Sequence, residues 1–520
     1  MPENAVDRVN SPLWWFKKLS DRQTKRLPRL DDLQAWLDND PPLPETPGEW
    51  QAAHQAFYKD TRTNVAALAV ASVANRLTPL GFRTGATDDD NGDQRAGEIW
   101  TENHLAIETV DLLTWMLGLS DAYTMIGLPA DDAPTIPIIT AEDPRAVITA
   151  QDPMRRMISR AGMKTMHDPD KGRDYVFIYL PAGAEGADTD VSMCFSAWKK
   201  STRGTSWGSN FRFSPKDWTW EEPKKLRTKR IPIVRFENRG GVAEFEPHLS
   251  VLNRINRITL QRMVIGELQS FRQRAIEGLP DRYPDDYVVA ELRGKPIDYQ
   301  GIFTPGPGAM WKVPPGAKFW ESQPIDLRPL LEEEKMEYRT ASALMGIPVS
   351  YFSPDDANGS AEGASLQRET LVFRSEDRQT IVEAGLNITM SLAFETVGDE
   401  QRSKLANIET IWAPIERLSL AEKYSAASQA KAAGENIRTI RREVLKYTPR
   451  QMEQAEADDA TALLMQPRLA LPAPGQQPGQ PGDQQQPGQP AGQQSAPPTS
   501  QQSAPPTSQQ QAQPPVPAAR

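Results

Sequence analysis

Apolar residues recur along this chain with two different periods, and the switches between them mark its parts. TNVAALAVASVANRL (Thr63–Leu77) has a helical pattern closed by Pro79, with the short LGFRT after it. AIETVDLLTWMLGLSDAYTMIG (Ala106–Gly127) predicts a helix that breaks near Gly118 into a strand. TIPIITAEDPRAVITAQDP (Thr135–Pro153) and DYVFIYLP (Asp174–Pro181) alternate or run apolar, as strands do. The first 240 or so residues therefore predict an α+β region with antiparallel sheet.

A different pattern begins at Glu246. Pro247 stands where a helix would start, and Leu249, Leu252, Ile255, Ile258, Met263, Leu268 and Phe271 mark one apolar stripe. A helix from His248 to Arg272 would be roughly 37 Å long. Gly278 and Pro280 end it. The next stretch, Asp281–Trp320, is so dense in Pro and Gly that it reads as a small strand-and-turn module. A second helix opens near Asp326 and runs to Met345. In it Leu331, Tyr338 and Met345 recur at seven-residue spacing, so one stripe packs on a neighbour. Glu332, Glu333 and Glu334 repel one another unless they face water or a basic partner. A long helix out, a small module and a long helix back make a hairpin with too little core of its own. In a ring of copies, each hairpin would pack on the next.

Gly346 and Pro348 stop the return helix. The acidic loop SPDDANGS follows, and then a helix to about Leu386, with Ser360 as its N-cap and Glu362 in its first turn. Ser419–Asp459 reads as short helices: Ser419 and Glu422 form a capping box, Gly434 is a stop, and Thr448-Pro449-x-Gln451 opens another helix. From Leu471 the chain is Pro, Gln, Gly, Ser and Ala, with QQSAPPTS twice in tandem; such a composition predicts disorder.

The formal net charge of the 520 residues is −10, which argues against a stand-alone binder that works by neutralising phosphates. One locally basic stretch, Lys199–Arg235, interleaves Trp207, Phe211, Phe213, Trp218 and Trp220 with its cations. Stacking on single strands is one reading of it. A twisted hairpin with packed aromatics, and charges solvated or paired across a subunit contact, is the reading adopted. The single cysteine, Cys194, excludes a disulfide framework and points to a reducing compartment. The four histidines lie far apart, with no metal-ligand spacing. No apolar run reaches the roughly 18 residues that cross a bilayer, and the N-terminus lacks the apolar middle of a signal peptide. A chain made and used in a cytoplasm is expected, with no membrane partner and no cofactor.

Catalytic signatures are missing from the sequence. There is no phosphate-binding G-x-x-x-x-G-K-[ST], no H-E-x-x-H and no G-x-S-x-G. Asp355 and Asp356 are the candidates for metal ligands in a DNA-processing enzyme, but neighbouring loop residues seldom point the same way, and no third carboxylate accompanies them.

Several motifs occur in an order that resembles one family. They are Trp100 and Asn103 with Gly118 and Ala122-Tyr123; Ile231-Pro-Ile-Val-Arg-Phe-Glu-Asn-Arg239; Ile347-Pro348 with Asn358-Gly-Ser-Ala-Glu362, Glu369 and Leu371; and Thr410-Ile-Trp412. Together, over about Pro12 to Ala460, they resemble the portal proteins of tailed bacteriophages with long non-contractile tails, as in phages of actinobacteria. Asn358-Gly359-Ser360 lacks the extra residue often seen there in the family.

The resemblance implies a homo-oligomeric ring, usually of twelve subunits, at one capsid vertex of the virion, assembled in the host bacterial cytoplasm. It divides the chain into a wing (1–245), a first stem helix (246–278), a clip (279–322) and a second stem helix (323–346). A tunnel loop, long helix and return to the wing (347–415), a helical crown (416–465) and the tail (466–520) complete it. Asp355, Asp356, Asn358, Gly359, Ser360 and Glu362 would form the tunnel loop around the DNA. Leu252, Ile255, Leu331, Tyr338 and Met345 would pack the stem. Tyr287, Trp311 and Phe319 would sit in the clip, where the terminase large subunit and then the head-tail adaptor dock. The major capsid protein and a scaffold are further implied partners, and double-stranded DNA would pass without sequence readout. A virion protein without a channel is the other alternative.

Overall fold

The computed structural model describes residues 8–42, 59–86, 92–201, 217–270, 274–299, 316, 318–321, 323, 325–352, 361–416 and 420–465. Contacts group the chain into Met1–Thr461 and Ala462–Arg520, and the packing described below lies within the first.

The chain opens with α1 (Pro12–Leu37), an element the apolar pattern above does not anticipate. Pro28 and a run of Lys and Arg hide its period. Ser11 accepts a hydrogen bond from the Trp14 N–H at 3.2 Å, and Pro12 takes the first helical position, so the start is capped. Leu13, Phe16, Leu19, Leu27 and Leu30 fall on one buried side, while Pro28 faces solvent.

Next come α2 (Val65–Ala74), β1 (Pro79–Arg83), α3 (Gln94–Glu102), α4 (Leu105–Leu119), β2 (Asp121–Gly127) and β3 (Ile138–Glu142). The break expected near Gly118 falls between α4 and β2. Gly118 lets the Leu37 side chain pack closely there: a Cβ would lie 2.5 Å from Leu37 Cδ1 and would push that side chain aside. Six strands follow: β4 (Val147–Gln151), β5 (Ser159–Asp168), β6 (Arg173–Leu180), β7 (Met193–Lys200), β8 (Thr219–Trp220) and β9 (Lys224–Lys225). They form one antiparallel sheet in the order β4-β5-β6-β7-β8, with β9 also paired to β7. Its inner face (Ile148, Ala161, Met163, Val176, Ile178) packs on Leu13, Trp15, Phe16 and Leu19 of α1. Trp218 belongs to that core, edge-on to Phe16 at 5.8 Å. This matches the packed-aromatic reading at that position; Trp207, Phe211 and Phe213 lie outside the described residues.

β10 (Ile233–Glu237) joins β2 and β3 in a second antiparallel sheet, in the order β10-β2-β3. After a short 3-10 turn at Glu246–His248 the chain enters α5 (Leu249–Ser270), then β11 (Arg274–Glu277), β12 (Lys318–Glu321) and α6 (Arg328–Met345). α7 (Ala361–Val397), β13 (Glu409–Trp412), α8 (Leu420–Ala432) and α9 (Pro449–Met465) complete the order, and β13 pairs with β1. The α+β class holds, with antiparallel sheets throughout.

Two boundaries differ from expectation. Arg274–Glu277, placed in the first long helix, is strand paired to β12. α7 continues past Leu386 to Val397, although Ile388, Thr389 and Thr396 are weak helix formers. Burial of Met390, Leu392, Ala393 and Phe394 outweighs that propensity, and the Thr389 and Thr396 hydroxyls donate back to Gly385 O and Leu392 O. α9 starts as expected: Thr448 and Gln451 exchange capping hydrogen bonds at 2.9 and 3.3 Å.

Candidate functional site

Six of the residues the sequence singles out for function, Leu252, Ile255, Phe319, Leu331, Tyr338 and Met345, lie on α5, β12 and α6, so the geometry of that segment matters most. The polar contacts between its two arms run in opposite directions along the chain. Arg254 meets Glu337 through two bonds of 2.9 and 2.8 Å. One turn further on, Thr259 donates to Glu334 at 3.1 Å, and Arg262 reaches the same carboxylate at 3.4 Å. Gln269 then donates to Ile325 O at 3.3 Å, and Arg274–Glu277 pairs with Glu321–Lys318. α5 and α6 are thus antiparallel, and one continuous register carries them into the two-stranded ladder.

Apolar burial supports only one end of this hairpin. Leu252, Ile255 and Met345 are buried with the α7 residues Leu371, Val382 and Leu386 in the largest core cluster. Asn256 accepts from both the N–H and the hydroxyl of Thr63, at 3.0 and 2.8 Å, which ties α5 to the residues before α2. Tyr338 is half-buried with its ring 5.9 Å from Phe352; burial, and then the neighbouring Glu334, raise its pKa. Leu331, one heptad earlier, is 38% exposed, so the expected stripe packs within the chain at Met345, partly at Tyr338, and not at Leu331. Of the three adjacent glutamates, Glu334 is the one that is buried: it lies between α5 and α6 against Thr259 and Arg262, while Glu332 and Glu333 are exposed. At the hinge, Gly346 has φ +62°, and a Cβ there would meet Thr370 at 2.8 Å, so glycine is needed on both counts.

The far end exposes apolar side chains among the described residues. Phe319 and Trp320 are adjacent on β12, hence on opposite faces, and are 49% and 55% exposed. β11 and β12 form a sheet of two strands, so each has one outer edge without a strand partner among the described residues. Tyr287 is half-buried against Tyr283, with ring centroids 4.6 Å apart, and Val288 beside it is almost fully exposed. Trp311 lies outside the described residues, as do Asp355, Asp356, Asn358, Gly359 and Ser360; Glu362 belongs to the first turn of α7.

Asn103, Tyr123, Arg235 and Asn238, also named from the sequence, make contacts that hold the fold together. The Asn103 side chain donates to Ile99 O and Pro137 O and accepts from the Ile139 N–H, clamping the end of α3 to β3. Asp121 is 1% exposed between Arg26 of α1 at 2.6 Å and Arg235 of β10 at 2.9 Å, and the Tyr123 hydroxyl also donates to it. Glu244, whose side chain is fully buried, pairs with Arg374 and Arg378 of α7 and accepts from Asn238 at 3.0 Å. Burial alone would raise its pKa; the two guanidiniums more than offset this and hold it below the usual carboxylate value. Sequence reasoning missed Glu244, Arg254, Arg262 and Glu337, because their partners lie far away along the chain and no local pattern announces them.

One cleft that an enzyme could use, of about 300 Å3, is lined by Arg83, Glu383, Glu409, Trp412, Glu443 and Lys446. Burial and the nearby Glu409 raise the Glu383 carboxyl. Glu409 and Glu443 are each paired with a cation, Arg83 at 3.1 Å and Arg442 at 2.9 Å. Among the described residues no group of three or more His, Cys, Asp or Glu is placed to hold a metal ion, and no helix is long and apolar enough to cross a membrane.

A scan against protein-family models finds no match to this chain, and a search of the curated proteins finds none either.

Proposed function

We propose that the chain is a portal-type subunit: copies stand side by side in a ring around a bore through which double-stranded DNA is packaged and later released. The observation that carries this reading is the α5–α6 hairpin. Its two arms pair in the same antiparallel order at Arg254–Glu337 and in the β11–β12 ladder; one end is anchored in a core, and the other exposes Phe319 and Trp320 and has outer strand edges without a strand partner among the described residues. A two-stranded ladder is marginal by itself in water, and its edges invite pairing. Neighbouring copies supply that cover in a ring.

The acid balance of the chain, −10, suits a bore that repels a polyanion and keeps it centred without holding it. On this reading the ladder end receives the terminase large subunit and later the head-tail adaptor, while the outer surfaces meet the major capsid protein and any scaffold. Copy number and shape of the purified chain test it: annular particles with a central hole support the proposal, whereas monomers, dimers or solid particles overturn it. Deleting residues 355–360 then separates bore from shell, because rings should form unchanged while capsids retain less DNA.

A further inference from the structure

One surface of the described residues has the opposite sign to the chain as a whole. Between Pro12 and Lys25 the outward side of α1 carries Lys17, Lys18, Arg22 and Lys25 against a single carboxylate, Asp21; half-buried Asp31 and Asp32 come only further along the helix. None of the four cations makes an ion pair with a described residue. At 100° per residue, Lys18, Arg22 and Lys25 fall within a narrow stripe, and from first to last they span about 10.5 Å of helix. The Lys18 ammonium sits 4.2 Å from the Trp14 ring centroid, which holds it in place over the helix start.

The turn between β4 and β5 adds to the same surface. Arg155, Arg156 and Arg160 are exposed there, and only Arg160 is paired, with Asp152 at 3.0 Å. The turn and the helix are electrostatic neighbours: burial, then Arg22 and Arg160, lower the Lys18 pKa. Like charges gathered without counter-ions are costly unless a polyanion completes them.

We propose that this face of α1, with the β4–β5 turn, binds duplex nucleic acid through its phosphates and without sequence readout. A span of about 10.5 Å matches roughly three base steps of one strand at 3.4 Å each, so the stripe meets about three phosphates. The exposed positions of α1 carry no large apolar side chain, whereas a helix lying in a lipid interface presents one. The apolar side of α1 is committed to the sheet. Met154 and Met157 at the turn, and Val9 just ahead of α1, are exposed apolar groups among the described residues that a lipid surface would use. The inference goes beyond the ring and does not depend on it.

The test is fluorescence anisotropy of the full chain with labelled duplexes of two unrelated sequences across a salt series, beside the K18Q/R22Q/K25Q variant. With three phosphates engaged, log Kobs should fall with log salt at a slope of about −2.7, so a fourfold rise in salt weakens binding about forty-fold. The variant, with an unchanged circular dichroism spectrum and melting midpoint, should lose most of that slope. Equal slopes for the two proteins, or no duplex binding at low salt, overturn the proposal; so does preference for one sequence. Binding to phosphatidylserine vesicles in place of duplex, lost in M154S/M157S, overturns it in favour of a lipid surface. Annular particles that fail to bind duplex would sink this inference and leave the ring reading intact.

Discussion

Replacing Glu244 by Gln tests the strongest electrostatic claim made for this fold. The carboxylate is fully buried and joins the segment ahead of α5 to two arginines one turn apart on α7. The substitution keeps the shape and removes the charge, leaving Arg374 and Arg378 largely shielded from water without that counter-ion. Removing one partner of a buried pair costs about 3–5 kcal/mol. Here the lower end applies, because Asp377 still pairs with Arg378. Since each 1.36 kcal/mol is a factor of ten, about 3 kcal/mol corresponds to roughly a hundredfold faster amide exchange in the middle of α7, between Leu371 and Val382. The pH dependence gives an independent check. Glu244 is held below its free value, so its contribution is complete above the unfolded pKa of about 4.3 and is lost as pH falls through the lower folded value. The gap between wild type and E244Q should therefore be constant near neutrality and close on acidification below about pH 4.3. Exchange in E244Q within about threefold of wild type at neutral pH, or a gap that stays open in acid, would refute the clamp.

Three further outcomes follow from named contacts. Tyr338→Asp places a carboxylate beside Glu334 in a half-buried site, so it should cost about 2–4 kcal/mol and impair ring closure; unchanged assembly on sizing chromatography would show that this side of α6 makes no essential contact. Trp320→Glu, at a position exposed in the single chain, should leave the melting midpoint of the monomer unaltered yet lower the yield of rings; equal ring yield would mean that the ladder stays bare in the assembly. Burial pushes the Cys194 thiol up to about 11, against a weaker opposing hydrogen bond from Tyr179, so a thiol reagent at pH 8 should label it only as fast as the protein opens, and prompt labelling of native protein would contradict that burial.

Much of the architecture was legible because it is written locally. The period switch at Gly118, the stop at Gly346 and the reciprocal cap at Thr448 and Gln451 each depend on residues within a turn of one another, and all three lie where the pattern puts them. The hairpin was legible for the same reason: two long apolar stripes separated by a Pro- and Gly-rich stretch leave few alternatives. α1 was not, because Pro28 and its cations mask the leucines that face the sheet.

Tertiary structure decided the rest. Whether Leu331 or Met345 is buried depends on what lies opposite, since both satisfy the same heptad. Glu334 belongs to a run of three glutamates that the sequence leaves to face water or a basic partner, and only the fold brings Thr259 and Arg262 to it in the helix interface. Glu244 finds its arginines 130 and 134 residues away, and Asp121 finds Arg26 at 95 and Arg235 at 114. Caps and periods act through backbone geometry over one or two turns, so composition and spacing reveal them. A buried charge is settled by desolvation against whatever counter-charge the fold delivers, and that partner exists only once distant segments have been brought together.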